Sequence, residues 1–107
     1  MQIPPAILER VLRGEVTLAF RRWIRPTVKA GDELRTVLGV VHVETVTRVD
    51  ESDIGEEEAR RAGSPSRAEL LRELHAGRPG WVYRIEVHAE RAAPGRPSAG
   101  PDENRGR

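Results

Sequence analysis

Residues 14–32 read GEVTLAFRRWIRPTVKAGD, and this stretch decides the fold. Val16, Leu18 and Phe20 alternate with Thr17, Ala19 and Arg21. A period of two is the signature of a strand, with the Val16 face buried and Thr17, Ala19 and Arg21 turned the other way. Arg25-Pro26 ends the strand, because the residue before a proline is pushed toward extended or turn backbone. A loop over residues 26–33 follows, with Gly31-Asp32 as its turn. At the exit of the strand, Arg21, Arg22, Arg25 and Lys29 gather around Trp23. Basic side chains interleaved with an aromatic ring suit a ligand that carries phosphate or offers a base to stack on.

Working outward, Ile3, Ile7, Leu8, Val11 and Leu12 recur at helical spacing behind Pro4 and Pro5. Proline is tolerated in the first helical turn, so residues 5–13 read as a short amphipathic helix with Gly14 as its C-terminal stop. On the other side, Leu34–Leu38 is a second short strand broken by Gly39, and Val40–Val49 is a long β-branched strand. Val41 and Val43 share a face but Val46 falls out of phase with them, which predicts a bulge near Glu44–Thr45. Asp53–Ala62 reads as a second helix, with Asp53 as N-cap and Glu56, Glu57 and Glu58 in the favourable first turn. Ser66-x-x-Glu69 is a capping box for a third helix, in which Leu70, Leu71 and Leu74 face inward until Gly77, Pro79 and Gly80. Trp81–Ala89 is the last strand, with Trp81, Tyr83, Ile85 and Val87 on one face and Arg84, Glu86 and His88 on the other. Trp81 and Tyr83 are expected in the core. From Ala92 the chain is rich in Pro, Gly, Ala and charge and offers nothing to bury, so residues 92–107 are expected to be a disordered tail beyond a domain of residues 1–91.

The order helix, three strands, two helices, strand predicts an α+β fold with a mostly antiparallel sheet. Pairing of the first strand with the last, closing a small barrel, would hide both sheet edges. The 107 residues have room for one small domain with a modest core. There is no cysteine, which excludes disulfides and thiolate metal sites and suits a cytoplasmic setting. No secretory signal or membrane-spanning run is evident, so no membrane partner is expected. The net charge is only +1, but residues 21–35 hold five basic and two acidic side chains, whereas residues 50–58 hold six acidic ones and no basic one. The molecule is therefore expected to have a basic and an acidic side. Lys29 is the single lysine. Arginine forks match phosphate oxygens, although a GC-rich genome produces the same bias.

The pattern resembles the ASCH domains of the PUA-like group. Their first-strand signature is Gly-x-Lys-x-x-Glu-x-Arg, followed by a loop and a Gly-Asp pair. Here the same spacing runs from Gly14 to Arg21, followed by Gly31-Asp32. The resemblance covers residues 6–90 and implies a small β-barrel with flanking helices and a cleft beside the first strand. It also implies RNA binding, and in some bacterial members hydrolysis of an acylated cytidine nucleoside. Val16 stands where the family has lysine, and Ala19 where it has glutamate or, in the hydrolytic members, threonine. Valine cannot polarise a carbonyl or transfer a proton, so the amidohydrolase activity is not carried over and no catalytic residue is assigned.

The candidate binding residues are Arg21, Arg22, Trp23, Arg25, Lys29 and Arg35, with RNA or a nucleotide as partner and no cofactor or metal. For Arg21 the competing reading is a salt bridge to Asp32 or Glu33. For Trp23 it is a core cap, and for the other cations a solvated surface. Arg21→Ala combined with Arg22→Ala is expected to weaken RNA binding and leave the fold intact. His42-x-Glu44 and Glu86-x-His88 could supply two histidines and two carboxylates to one outer face if their strands pair in register, but two polar faces in water are the simpler reading. Thr17 and Thr36 lack an evident base. Two further functions compete with the binding module. One is a hydrolase acting on a modified nucleoside or RNA, which needs Glu44, His42 or Glu86 beside Arg21. The other is a protein-interaction adaptor, which predicts a filled cleft with no available arginine.

Overall fold

The computed structural model describes residues 1–91, so the tail expected at 92–107 lies outside the described residues. The chain forms helix α1 (Pro5–Leu12), strands β1 (Leu18–Trp23), β2 (Glu33–Arg35) and β3 (Gly39–Val49), a 3-10 turn at Glu51–Asp53, helices α2 (Glu56–Arg61) and α3 (Arg67–Ala76), and strand β4 (Trp81–Arg91). All strand pairings are antiparallel and the order across the four-stranded sheet is β1-β4-β3-β2. The fold is thus α+β with an antiparallel sheet, as expected. The first and last strands do pair, Leu18 opposite Glu86 through Trp23 opposite Trp81. The sheet stays open, however: β1 and β2 are its two edges rather than partners in a closed barrel.

Residues opposite one another on neighbouring antiparallel strands share a face. Ala19, Arg21 and Trp23 therefore lie with Tyr83, Ile85 and Val87, and with Val41, Val43, Val46 and Arg48. Leu8 and Val11 of α1 pack on this face against Val41, Val43, Ile85 and Val87, joined by Val16 and Val28. The opposite face buries Leu18, Phe20 and Val82 under Ile54, Ala59, Leu70 and Leu74. The sheet is sandwiched between α1 and the α2–α3 pair. Leu18, Ile85, Val16 and Val41 are the most deeply buried large side chains, each contributing roughly 1.5–3 kcal/mol of transfer free energy.

Local chemistry explains the boundaries. Gly14 follows α1 with φ +79, a left-handed turn that favours glycine, and its N–H donates to Val11 O at 3.0 Å. The expected bulge is present as a register shift between Val43 and Thr45. Ser66 Oγ accepts from the Glu69 N–H at 3.1 Å and caps α3 as expected, but the Glu69 carboxylate pairs with Arg72 and does not close the expected capping box.

Three expectations are corrected. The strand at 34–38 is only Glu33–Arg35, because the Thr36 hydroxyl donates to Gly39 O at 2.7 Å and folds Thr36–Gly39 into a turn. The helix expected from Asp53 to Ala62 is split. Asp53 instead accepts the Asp50 N–H at 3.1 Å across a 3-10 turn, and α2 starts after Gly55. Trp81 is not core: it is 54% exposed, with the Arg48 guanidinium lying over its ring.

Candidate functional site

β1 has a strand partner on one side only. Along its other side runs a cleft of about 630 Å³. One wall is the N-terminal segment Gln2–Pro4 with Ile7 and Val11 of α1; the other is Ala62–Ser64, Leu70, Glu73 and Leu74 of the α2–α3 pair, with Gly77 and Arg78. Leu18 to Trp23 form the floor, and Thr27 closes one end. Hydrogen bonds tie one wall to Thr17, just before β1, and the two walls to each other. The Thr17 N–H donates to Arg61 O at 2.9 Å, and Arg61 Nε donates to Thr17 Oγ1 at 3.1 Å. Arg10 Nη1 reaches across from α1 to Gly63 O at 3.3 Å. A volume of this order suits a nucleotide-sized ligand.

Arg21 is half-buried at this edge. Its Nη1 donates to Phe20 O at 2.9 Å and its Nη2 to Gln2 O at 3.1 Å. The salt bridges to Asp32 or Glu33 weighed against a binding role are absent: Asp32 Oδ2 accepts from the Lys29 N–H, and Glu33 lies by Arg35 and His42. Burial pushes the Arg21 guanidinium below its ordinary value, and the charge of Glu73 opposes that shift. Carbonyl oxygens hold the guanidinium in place and no salt bridge cancels its charge, while Glu73 across the cleft offsets part of its field.

Arg22 lines the same cleft but has a structural task. Its Nη1 donates to Leu74 O at 2.9 Å and its Nε to Gly80 O at 3.3 Å. A cation on the last carbonyls of α3 is favourable to the helix dipole. Removing Arg21 and Arg22 together is therefore expected to disturb the fold as well, and Arg21 alone is the cleaner probe. Trp23 touches both the core and the cleft. It packs against the α1-side core and lines the cleft, with its ring centroid 5.8 Å from that of Tyr83.

The other three predicted residues do not line the cleft. Arg25 and Lys29 are exposed on the loop after β1. That loop crosses the sheet, burying Val28, and docks on the far side through Gly31 N–H to Val43 O at 2.8 Å. Arg35 is on β2, the opposite edge, 3.5 Å from Glu33. The cleft residues with polar side chains that are absent from the sequence-based set are Gln2, Thr27, Ser64, Glu73 and Arg78. For Arg78 there was a signal: it precedes Pro79-Gly80 at the entry to β4, and pairing of β4 with β1 brings that loop to the cleft. Gly80 makes the approach possible, since a Cβ there, at φ +143, would collide with the Trp23 backbone.

His42 and His88 do face one another across β3 and β4, stacked with ring centroids 4.7 Å apart. Each meets its own carboxylates: His42 has Glu33 at 3.7 Å and Glu90 at 3.6 Å, and His88 contacts Glu44. Glu86 instead accepts from Thr45 Oγ1 at 3.0 Å. Among the described residues, no group of three or more His, Asp or Glu side chains is arranged to hold a metal ion. His42, Glu44 and Glu86 do not line the cleft, and His42 and Glu86 occupy the sheet face opposite Arg21. Thr17 Oγ1 is engaged by Arg61 and Thr36 Oγ1 by Gly39. No helix among the described residues is long and apolar enough to cross a membrane. Compared with known proteins, the chain matches no family model, no curated protein and no solved structure.

Proposed function

We propose that the chain is a small cytoplasmic binding module for RNA or a nucleotide, with the cleft beside β1 as its ligand site. The observation that carries this reading is Arg21, held at the cleft by two backbone carbonyls and free of any ion pair among the described residues. The guanidinium takes a phosphate, Trp23 offers its ring to a base, and the apolar floor excludes water around both. The resemblance to ASCH domains supports the same reading through Gly14, Arg21 and Gly31-Asp32 and through the pairing of first and last strands. On that view the open sheet is a reduced form of the PUA-like barrel. Binding is favoured over hydrolysis because no histidine lines the cleft and Glu73 is the single carboxylate among its lining residues. An available arginine in an open cleft also favours a small anionic ligand over a purely adaptor role.

The test is fluorescence anisotropy of labelled single-stranded RNA, hairpin RNA and matched DNA at two salt concentrations. Binding that prefers RNA and weakens with salt is expected. Arg21→Ala should reduce affinity about tenfold and lower the salt slope by about one ion. Unchanged affinity in a folded Arg21→Ala protein would remove the cleft from consideration.

A further inference from the structure

The α1-side face of the sheet is covered at one end only. Leu8 and Val11 pack over Val41, Val43, Ile85 and Val87, whereas Trp81 at the other end is 54% exposed. Tryptophan brings a large apolar area, so a half-exposed ring is costly to leave in water. The strand register places two rows across this end, with Arg48 and Trp81 exposed and Arg21, Tyr83 and Trp23 half-buried. Arg21, Tyr83 and Arg48 are opposite one another on β1, β4 and β3, and Trp23 is opposite Trp81 in the next row. The Arg48 guanidinium carbon sits 3.6 Å from the centre of the Trp81 ring, and Arg48 forms no ion pair among the described residues. Trp23 belongs both to this surface and to the cleft.

We propose that Trp81 and Arg48 form a second, base-stacking subsite for single-stranded RNA, continuous with the cleft through Trp23. The inference rests on the cleft reading for the nature of the ligand and extends it from one nucleotide to a strand. The chemistry of the surface selects the occupant. Flat rings and a guanidinium plane match the faces of bases, and two cations with no carboxylate bonded to them match a chain of phosphates. A strand entering the cleft at Arg21 passes over Trp23 and lays its next base on Trp81 or on the guanidinium stacked there.

The experiment compares a single nucleoside monophosphate with a single-stranded RNA of about ten nucleotides, a length within the usual span of such grooves. Both are titrated against the full chain and against Trp81→Ala, Trp81→Phe and Arg21→Ala. Trp81→Ala is expected to weaken the oligonucleotide about tenfold and leave the mononucleotide unchanged, with Trp81→Phe recovering most of the loss. Oligonucleotide affinity that falls in Arg21→Ala but not in Trp81→Ala overturns the second subsite and leaves the cleft standing. Binding of neither ligand to the unaltered chain overturns both. A concentration-dependent dimer abolished by Trp81→Ala, with RNA affinity unchanged, overturns the proposal by assigning the patch to a second copy of the chain.

Discussion

The two edges of the sheet solve the same problem in different ways. The β1 edge is walled by α1 and the α2–α3 pair, and its arginines donate to carbonyl oxygens of Gln2, Phe20, Leu74 and Gly80. The β2 edge is three residues long, ends in the Thr36 turn, and sets Arg35 against the carboxylate of Glu33, which also lies 3.7 Å from His42 on the neighbouring β3. Shortness and charge are what a sheet uses to blunt an edge against further pairing. A carboxylate fixes an arginine and cancels it, whereas a carbonyl fixes it and leaves its field intact. By that criterion Arg21 at the β1 edge is held without an ion pair, whereas Arg35 at the β2 edge is paired.

The comparison breaks most sharply at the core beneath each edge. Leu18→Ala on β1, a fully buried side chain, is expected to cost about 2–5 kcal/mol. Leu34→Ala on half-buried β2 should cost about 1 kcal/mol. Urea denaturation at a constant slope measures both, and equal losses would mean that β2 anchors the sheet as firmly as β1. Next come the arginines themselves. Arg22→Ala removes the cation from the end of α3 and should cost about 1.5–3 kcal/mol, whereas exposed Arg35→Ala should stay within about 0.5 kcal/mol. An inert Arg22→Ala would return that residue to the ligand.

The smallest effect concerns the exposed ion pairs of the α1 wall. The hydrogen bond from Arg91 holds the Glu9 carboxyl below its ordinary value, and that from Arg13 does the same for Glu15. A depressed carboxylate stabilises the folded state above its unfolded pKa, and the gain disappears as pH falls through the folded value. Glu9→Gln should therefore lower Tm slightly at neutral pH and not at all below the carboxylate range. A deficit that persists in acid would assign Glu9 a packing role instead of an electrostatic one.

Much of this fold is legible in the sequence wherever a local rule has no competitor. Gly14, the Ser66 cap and the phase slip at Val46 each belong to one short window, and the structure has each of them in place. The failures arise where a neighbour outside the window decides. Asp53 is a sound N-cap by type, but Asp50 is near enough to take its carboxylate. Alternation puts Trp81 on the face of Ile85, yet it carries no information on how far α1 extends over that face. The site divides in the same way. Arg21, Arg22 and Trp23 are on the strand that forms the cleft floor, so sequence proximity suffices. Lys29 lies on the loop that crosses the sheet and Arg35 beyond it, a path that no charge pattern reveals.

The position of β1 next to β4 has a consequence for how the protein is made. The strand that begins at Leu18 has its partner at Trp81–Glu86, so the floor of the cleft has no sheet to belong to until nearly the whole domain has left the ribosome. Pairings of such long sequence separation form late and slowly. Before then, Leu18, Phe20 and the arginines beside them are an unpaired apolar and cationic segment on a chain surrounded by ribosomal RNA. A nascent chain halted before Trp81 therefore has the arginines but not the cleft.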